Sequence, residues 1–126
     1  MLLKTYIVED NATIRENLIA TLEELTCVKS VGTSETENGG SAWLTGRHNV
    51  WDLAIVDLFL KQGSGMGVLF ACKDRLATQK VVVLSNYATT DVRKRCKQLG
   101  ADAVFDKSTE IEALMDFCIK HSNSLG

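Results

Sequence analysis

Proline is absent from the 126-residue sequence, and aromatic residues make up only 6% of it. Without proline, the slow cis–trans isomerisation of X-Pro bonds cannot limit folding. None of the apolar runs approaches the ~20 residues that a membrane-spanning helix requires. The N-terminal letters MLLKTYIVED reach acidic residues too early for a secretory signal. These absences predict a cytoplasmic protein without a membrane partner.

Neither charge sign dominates, because 14 Lys and Arg residues accompany 16 Asp and Glu residues and leave a net charge of −2. A dedicated nucleic-acid binder usually has a basic excess, so we expect no direct nucleic-acid partner. The four cysteines form no C-x-x-C pair and the two histidines lie in unrelated contexts, which indicates neither a zinc nor a redox motif. With 45% hydrophobic residues, the length suits one compact domain.

Short apolar runs alternate with segments of helical periodicity along the whole chain. The predicted strands cover Leu3–Val8 and residues 28–31, 53–56, 81–84 and 103–105, and the predicted helices cover residues 11–25, 34–44, 66–76, 90–99 and 110–119. Ser108 or Thr109 should cap the last helix, and residues 122–126 should form a polar, frayed tail beyond a domain of residues 1–121. This alternation predicts an α/β fold, a five-stranded parallel sheet of order 2-1-3-4-5 between five helices, as in flavodoxin-like proteins.

Chemically capable side chains follow four of the predicted strands. Glu9 and Asp10 follow the first strand, Asp57 the third, Ser85 the fourth and Lys107 the fifth. Ligands of open α/β sheets bind outside the carboxyl ends of the strands, at the switch point that this order places between strands 1 and 3. We therefore expect these residues to share one edge of the sheet.

The chemistry of this set favours a metal and a phosphoryl group. Clustered carboxylates need a compensating cation, and hard oxygen ligands suit Mg²⁺. Lys107 is a standard phosphate partner and Ser85 can donate a hydrogen bond. A carboxylate can serve as a nucleophile that forms an aspartyl phosphate, and Asp57 follows the most central strand. Each residue alone could be a helix cap, a turn residue or a solvated charge, but the ordered set favours the phosphoryl site.

The letters GSG follow Asp57, and GAD precedes the fifth strand. Together with the ordered set of site residues, they resemble the response-regulator receiver domain of two-component signalling, including chemotaxis-type receivers. The resemblance covers essentially the whole chain. The resemblance implies that Asp57 accepts a phosphoryl group from a phosphohistidine. The donor would be a sensor histidine kinase or, in a phosphorelay, a histidine phosphotransfer protein. It also implies a self-catalysed transfer and a slow self-hydrolysis rather than turnover of a substrate.

The resemblance further assigns roles within the site. Asp10 and Asp57 would hold Mg²⁺ with the backbone carbonyl of Phe59, while Glu9 would act largely through water. Ser85 and Lys107 would contact the phosphoryl oxygens after transfer. The output would be a change in the face built from helix 4, strand 5 and helix 5, which would control a partner or a dimer. Whether the domain stands alone or belongs to a longer regulator stays open.

Several positions depart from the family pattern. Val104 stands where an aromatic switch residue is usual, and Phe105 should point to the opposite face of the strand. Ser108 replaces the usual proline after Lys107, and Asn86 replaces a small residue and should narrow access to the phosphoryl site. We therefore expect an unusual transmission step.

Phe59 and Tyr87 occupy positions that flank the path of the attacking water in the family. Both are bulky aromatics, so we expect slow loss of the phosphoryl group. The alternative is that both rings lie on the surface and have no kinetic role.

The face expected to carry the output holds opposite charges. The basic residues of the fourth helix and the acidic residues after the fifth strand could support a symmetric homodimer or a partner contact, or could simply be solvated. They are Arg93, Lys94, Arg95 and Lys97, and Asp106, Glu110, Glu112 and Asp116.

Other functions remain possible from the sequence. A degenerate receiver would bind partners without phosphorylation, and Val104 and Asn86 keep that alternative open. A phosphohydrolase similar to haloacid-dehalogenase enzymes would need a second Asp where Phe59 stands. A flavodoxin would need a phosphate-cradling loop after the first strand, where EDNAT offers carboxylates instead.

Overall fold

The computed structural model describes residues 2–126, which form one five-stranded parallel sheet of order β2-β1-β3-β4-β5. The predicted fold class and strand order are confirmed. The strands are β1 Leu3–Val8, β2 Val28–Ser34, β3 Leu53–Asp57, β4 Lys80–Ser85 and β5 Ala103–Asp106, and the helices are α1 Ala12–Leu25, α2 Glu37–Leu44, α3 Gly65–Ala71, α4 Thr90–Gln98 and α5 Ile111–Leu125.

The core has two layers, one on each face of the sheet, because successive strand residues point to opposite faces. In β3, Leu53 and Ile55 pack with buried residues of α1 and α5, whereas Ala54 and Val56 pack with those of α2, α3 and α4. β3 is buried along its whole length, as a central parallel strand requires.

The strand register aligns the carboxyl ends of the strands. Val8 pairs with Val56, so the residues that follow β1 lie beside Asp57, the last residue of β3. Asp57 pairs in turn with Leu84, one residue before the end of β4. The carboxylates after β1 and β3 are therefore brought together by the sheet itself.

Polar caps start the first four helices. Asn11 Oδ1 accepts a hydrogen bond from the Ile14 N–H at 3.0 Å and caps the start of α1. Thr36 starts α2 and Thr89 starts α4 in the same way. The predicted helix over residues 34–44 therefore begins later than expected, because β2 continues to Ser34.

The third helix is shorter than the predicted residues 66–76. α3 ends at Ala71, and Leu76, the last residue of the predicted helix, is 68% exposed. The guanidinium of Arg75 donates to the main-chain oxygens of Cys72, Gln79 and Gly100. These bonds fold the following segment into turns, a long-range arrangement that helical spacing does not reveal.

The last helix differs from the prediction at both ends. Asp106 Oδ1 accepts hydrogen bonds from the N–H groups of Ser108 and Thr109, so those residues form a turn and α5 starts only at Ile111. At the other end, α5 continues to Leu125 and buries His121 and Ser122. The expectation of a frayed tail at residues 122–126 is wrong for residues 122–125.

A buried polar contact explains the longer helix. His121 Nε2 lies 3.0 Å from the main-chain oxygen of Asp52, at the start of β3. The polar letters after Ile119 therefore belong to a docked helix. Within residues 2–126, none of the helices combines the length and the apolar character that crossing a bilayer demands.

Candidate functional site

Lys107 lies at the centre of the charged cluster. Its Nζ is 2.6 Å from Glu9 Oε1 and 3.2 Å from Asp57 Oδ2. β5 delivers the lysine to this point, since the Lys107 N–H donates to the main-chain oxygen of Ser85 at 3.0 Å and continues the alignment with β4. The fifth strand thus supplies the cation to carboxylates that follow the first and third strands.

Three carboxylates face one another at this edge. Glu9, Asp10 and Asp57 each offer an oxygen, and these oxygens lie within 4.8 Å of one another. Glu9 and Asp57 are only 3% and 8% exposed, respectively. Lys107 neutralises one of the three negative charges when all are ionised, so the cluster retains an excess of negative charge and can accept a divalent cation.

The cluster changes the proton affinity of its members. Burial raises the pKa of Asp57 from 3.8 to about 6; the Lys107 charge opposes this rise and the Glu9 charge adds to it. Burial alone would lower the pKa of Lys107, but the hydrogen bond to Glu9 and the charge of Asp57 outweigh it and raise that pKa. Lys107 therefore stays charged, while Asp57 becomes more basic than an ordinary aspartate.

The donor set fits Mg²⁺, which prefers hard oxygen ligands. Asp10 Oδ2 already accepts the Lys61 N–H at 2.7 Å, which fixes the carboxylate toward the β3–α3 loop. Glu9 receives the Lys107 ammonium on Oε1 and the Asn11 N–H on Oε2, at 3.2 Å, so direct ligation by Glu9 would compete with existing bonds. Asp10 Oδ1 lies outside these contacts, and Asp57 is held less closely by Lys107 than Glu9 is, at 3.2 Å against 2.6 Å, so Asp10 and Asp57 are the better candidates for direct ligands.

Ser85 is fully buried at the end of β4, one strand away from Asp57. Its Oγ accepts the Tyr87 N–H at 3.1 Å and keeps its own proton available for donation. Asn86 is exposed and lines, with Lys107, a groove of about 350 Å³ between α1 and the start of α5. Asn86 and Lys107 therefore line the same groove, and the effect of Asn86 on access to the phosphoryl site stays a prediction.

Phe59 and Tyr87 form an aromatic pair above this edge. Their ring centroids are 5.3 Å apart at an interplanar angle of 81°, an edge-to-face contact. The residues are 56% and 63% exposed. The main chain of each reaches the site, because the Phe59 N–H lies 3.4 Å from Asp57 Oδ1 and the Tyr87 N–H bonds Ser85. The rings are on the surface, as the alternative held, but they also contact each other, and their main chains reach Asp57 and Ser85.

Val104 and Phe105 point to opposite faces of β5, as predicted. Sequence reasoning missed what lies behind Val104. The Arg93 guanidinium donates to the Val104 main-chain oxygen at 3.0 Å and to the Ala88 oxygen at 2.8 Å, and it also pairs with Glu110. Arg93 and Glu110 therefore have partners within the same molecule, a pairing that a basic helix in the sequence does not reveal.

Residues 5–118 match the family described as the response regulator receiver domain. The chain belongs to this family. The receiver domain is 32% identical, over 108 residues, to a Thermotoga maritima protein named cyclic di-GMP phosphodiesterase. The match covers 86% of this chain and 28% of that protein, so the receiver domain spans less than a third of the length of this curated relative.

Solved structures share the fold. A DNA-binding response regulator of the LuxR family from Staphylococcus aureus is 16% identical with a TM-score of 0.83, over 97% of this chain and 100% of that chain. A response regulator protein from Burkholderia pseudomallei is 18% identical with a TM-score of 0.77, over 98% of this chain and 71% of that chain. That structure contains a phosphorylated aspartic acid, a calcium ion and citrate.

Proposed function

We propose that this receiver domain is a phosphorylation-dependent switch. Asp57 accepts a phosphoryl group from a phosphohistidine of a sensor histidine kinase or a histidine phosphotransfer protein. The face made by α4, β5 and α5 then changes its contacts with a partner or with a second copy. The observation that carries the proposal is the contact of Lys107 Nζ with both Glu9 and Asp57 beside a third carboxylate, Asp10. A cytoplasmic location is part of the same proposal.

In the proposed transfer, an Asp57 carboxylate oxygen attacks phosphorus while the phosphorus–nitrogen bond to the donor histidine breaks. The bonding electrons leave with the imidazole. With its pKa raised to about 6, Asp57 is ionised at neutral pH and is a more basic nucleophile than an ordinary aspartate. Lys107 puts positive charge where the phosphoryl oxygens arrive, and Ser85 is the proposed hydroxyl donor to them.

Asp10 and Asp57 are the residues that would hold Mg²⁺, with the main-chain oxygen of Phe59 as a further ligand and Glu9 acting through water. When bound, the ion neutralises charge on the acceptor and on the incoming phosphoryl group. The calcium ion and phosphorylated aspartic acid of the Burkholderia pseudomallei structure support this combination of acidic site, divalent cation and phosphoryl group.

The domain is proposed as a phosphoacceptor, without turnover of an external substrate. Phe59 occupies the position where an aspartate acid would be needed for efficient phosphohydrolase chemistry. The rings of Phe59 and Tyr87 contact each other, and their main chains contact Asp57 and Ser85, so we expect the pair to hinder attacking water and to slow loss of the phosphoryl group. The phosphodiesterase name belongs to a relative of which this chain spans 28%.

Fewer charged residues are available for the proposed dimer contact than the charge pattern of the sequence suggested. Arg93 and Glu110 already pair within the molecule. Exposed charges remain on the same two helices and would carry a symmetric contact that weakens with added salt. They are Lys94, Arg95 and Lys97 on α4 and Glu112 and Asp116 on α5.

Phosphorylation by a small-molecule donor tests the proposal. The protein and its Asp57→Asn variant are incubated with Mg²⁺ and acetyl phosphate, and the intact masses are compared. We expect one added phosphoryl group on the unmutated protein when Mg²⁺ is present, none when Mg²⁺ is left out of the incubation, and none on the variant. A mass unchanged in both proteins would refute the switch and favour a degenerate receiver that binds partners without phosphorylation.

A further inference from the structure

Glu37, the first residue of α2, holds the loop between β3 and α3 at two points. Its main-chain N–H donates to the Gln62 oxygen at 3.1 Å, and its Oε1 accepts the Ser64 N–H at 2.8 Å. Ser64 is the N-cap of α3, so the contact fixes both the end of the loop and the start of that helix. Glu37 thus anchors, through its main chain and its side chain, a loop that lies more than twenty residues further along the chain.

The glycines of this segment make room for the Glu37 side chain. A Cβ at Gly67 would lie 2.2 Å from the Glu37 Cδ atom, and a Cβ at Gly63 would lie 2.4 Å from the Glu37 Cβ atom. Gly63 also has φ +85°, a conformation that favours glycine. The loop and the first turn of α3 are therefore built closely around Glu37.

The other side of the same loop faces the acidic cluster. The Lys61 N–H donates to Asp10 Oδ2 at 2.7 Å, and Phe59 forms an isolated antiparallel bridge with Ser64. The loop is consequently held between Asp10 on one side and Glu37 on the other. Phe59, whose main-chain oxygen is the proposed metal ligand, is joined to this held segment through its bridge with Ser64.

We propose that Glu37 is a positioning residue for the metal site of the receiver domain, an inference that rests on the proposed function. Glu37 contacts neither the acceptor nor the lysine in the described contacts of residues 2–126; it acts through the loop that presents Phe59 and that restrains Asp10. Without Glu37 the Ser64 N–H loses its acceptor, and the loop must be ordered when the ion binds. Affinity for Mg²⁺ then falls because ordering the loop costs free energy when the ion binds.

We expect loss of Glu37 to weaken Mg²⁺ binding while leaving the rate of phosphorylation at saturating Mg²⁺ unchanged. In Glu37→Ala the Kd for Mg²⁺, measured by calorimetry, should rise about tenfold, the scale on which outer partners of metal ligands act. The rate of phosphorylation by acetyl phosphate should fall at low Mg²⁺ and recover at saturating Mg²⁺, because the reacting groups are intact. Glu37→Gln keeps an amide oxygen for the Ser64 N–H and should restore most of the affinity.

Gly67→Ala offers an independent disturbance of the same contact. Its new Cβ would collide with the Glu37 carboxylate, so Gly67→Ala should weaken Mg²⁺ binding when Glu37 is present. In the Glu37→Ala background the collision partner is gone, and Gly67→Ala should then have little further effect. The exposed Glu16 of α1 supplies the charge control, because Glu16→Ala removes the same charge without touching the loop.

Hydrogen exchange separates this inference from the proposed function. In the metal-free protein, the amides of Ser64 and Lys61 should exchange faster in Glu37→Ala than in Glu16→Ala. If the unmutated protein binds Mg²⁺ while Glu37→Ala binds it as tightly as Glu16→Ala does, the positioning role is refuted. If the unmutated protein takes up neither Mg²⁺ nor a phosphoryl group, the proposed function is refuted, and this inference with it.

Discussion

Replacing Asp57 with asparagine should stabilise the metal-free protein at neutral pH, although it removes the proposed acceptor. The wild-type site holds Glu9, Asp10 and Asp57 with their oxygens within 4.8 Å, and one lysine is not enough to neutralise them. The raised pKa of Asp57 shows that burial and the Glu9 charge outweigh the attraction of Lys107. An amide of the same shape removes one buried charge and relieves this imbalance.

The pKa sets the magnitude of the gain. A rise from 3.8 to about 6 costs the folded protein about 3 kcal/mol once Asp57 is ionised, at about 1.4 kcal/mol for each pH unit. The charges of the cluster titrate together and water reaches part of the site, so we take about 2 kcal/mol as the expected gain. For a chain of this size that corresponds to a rise in Tm of roughly 8 °C.

The gain should depend on pH with a defined sign. Because the folded-state pKa is raised, protonated Asp57 contributes its stability fully below pH 3.8, and this contribution is lost as the pH rises through about 6. The difference in unfolding free energy between Asp57→Asn and wild type should therefore be small near pH 4 and largest above about pH 7. Mg²⁺ should reduce the difference, because the ion stabilises wild type more than the variant.

Urea denaturation in the presence of a chelator measures, at each pH, the difference in unfolding free energy between Asp57→Asn and wild type. Asp116→Asn is the matched control, because this exposed carboxylate on α5 should change stability by no more than about 0.5 kcal/mol. If Asp57→Asn were no more stable than Asp116→Asn at neutral pH, the Asp57 carboxylate would not be under electrostatic strain, and the physical account of the site would be wrong.

Two further predictions concern the aromatic pair and Arg93. Phe59→Asn and Tyr87→Glu should speed loss of the phosphoryl group several-fold by opening Asp57 to water, and intact mass measured over time follows this loss. Phe70→Asn, which replaces another exposed phenylalanine, is the control. An unchanged rate of loss would remove the proposed kinetic role of the rings. Arg93→Ala should lower the free energy of unfolding by about 1–2 kcal/mol, because the bonds to two main-chain oxygens are lost. Lys94 is exposed, so Lys94→Ala should leave the free energy of unfolding nearly unchanged in the same urea denaturation assay.

The sheet and the charged cluster were predictable because topology dictates them. Continuous apolar runs such as residues 81–84 identify buried parallel strands, and parallel strands bring their carboxyl ends to one edge. Asp57 and Lys107 could therefore be placed together although 50 positions separate them in the sequence. No side-chain detail was needed, since register alone aligns β1, β3, β4 and β5.

Helix ends were less predictable because long-range contacts decide them. The letters after Ile119 are polar, yet His121 bonds the Asp52 main chain and Ser122 is buried, so α5 continues. Likewise, the Arg75 side chain turns the chain after α3, where apolar spacing alone would extend the helix. In both cases a polar side chain satisfies a main-chain oxygen that is distant in sequence, which periodicity cannot indicate.

The glycines after Asp57 show where sequence reasoning reaches its limit. Gly63, Gly65 and Gly67 are visible as a repeated small residue, and they indicate that the loop needs unusual conformations or close approaches. The sequence does not indicate which residues lie against these glycines. In the fold, Gly65 lies against the Asp57 main-chain oxygen, while Gly63 and Gly67 lie against Glu37, which is more than twenty residues earlier. Glycine spacing alone cannot name the partner, so the proposed role of Glu37 required the structure.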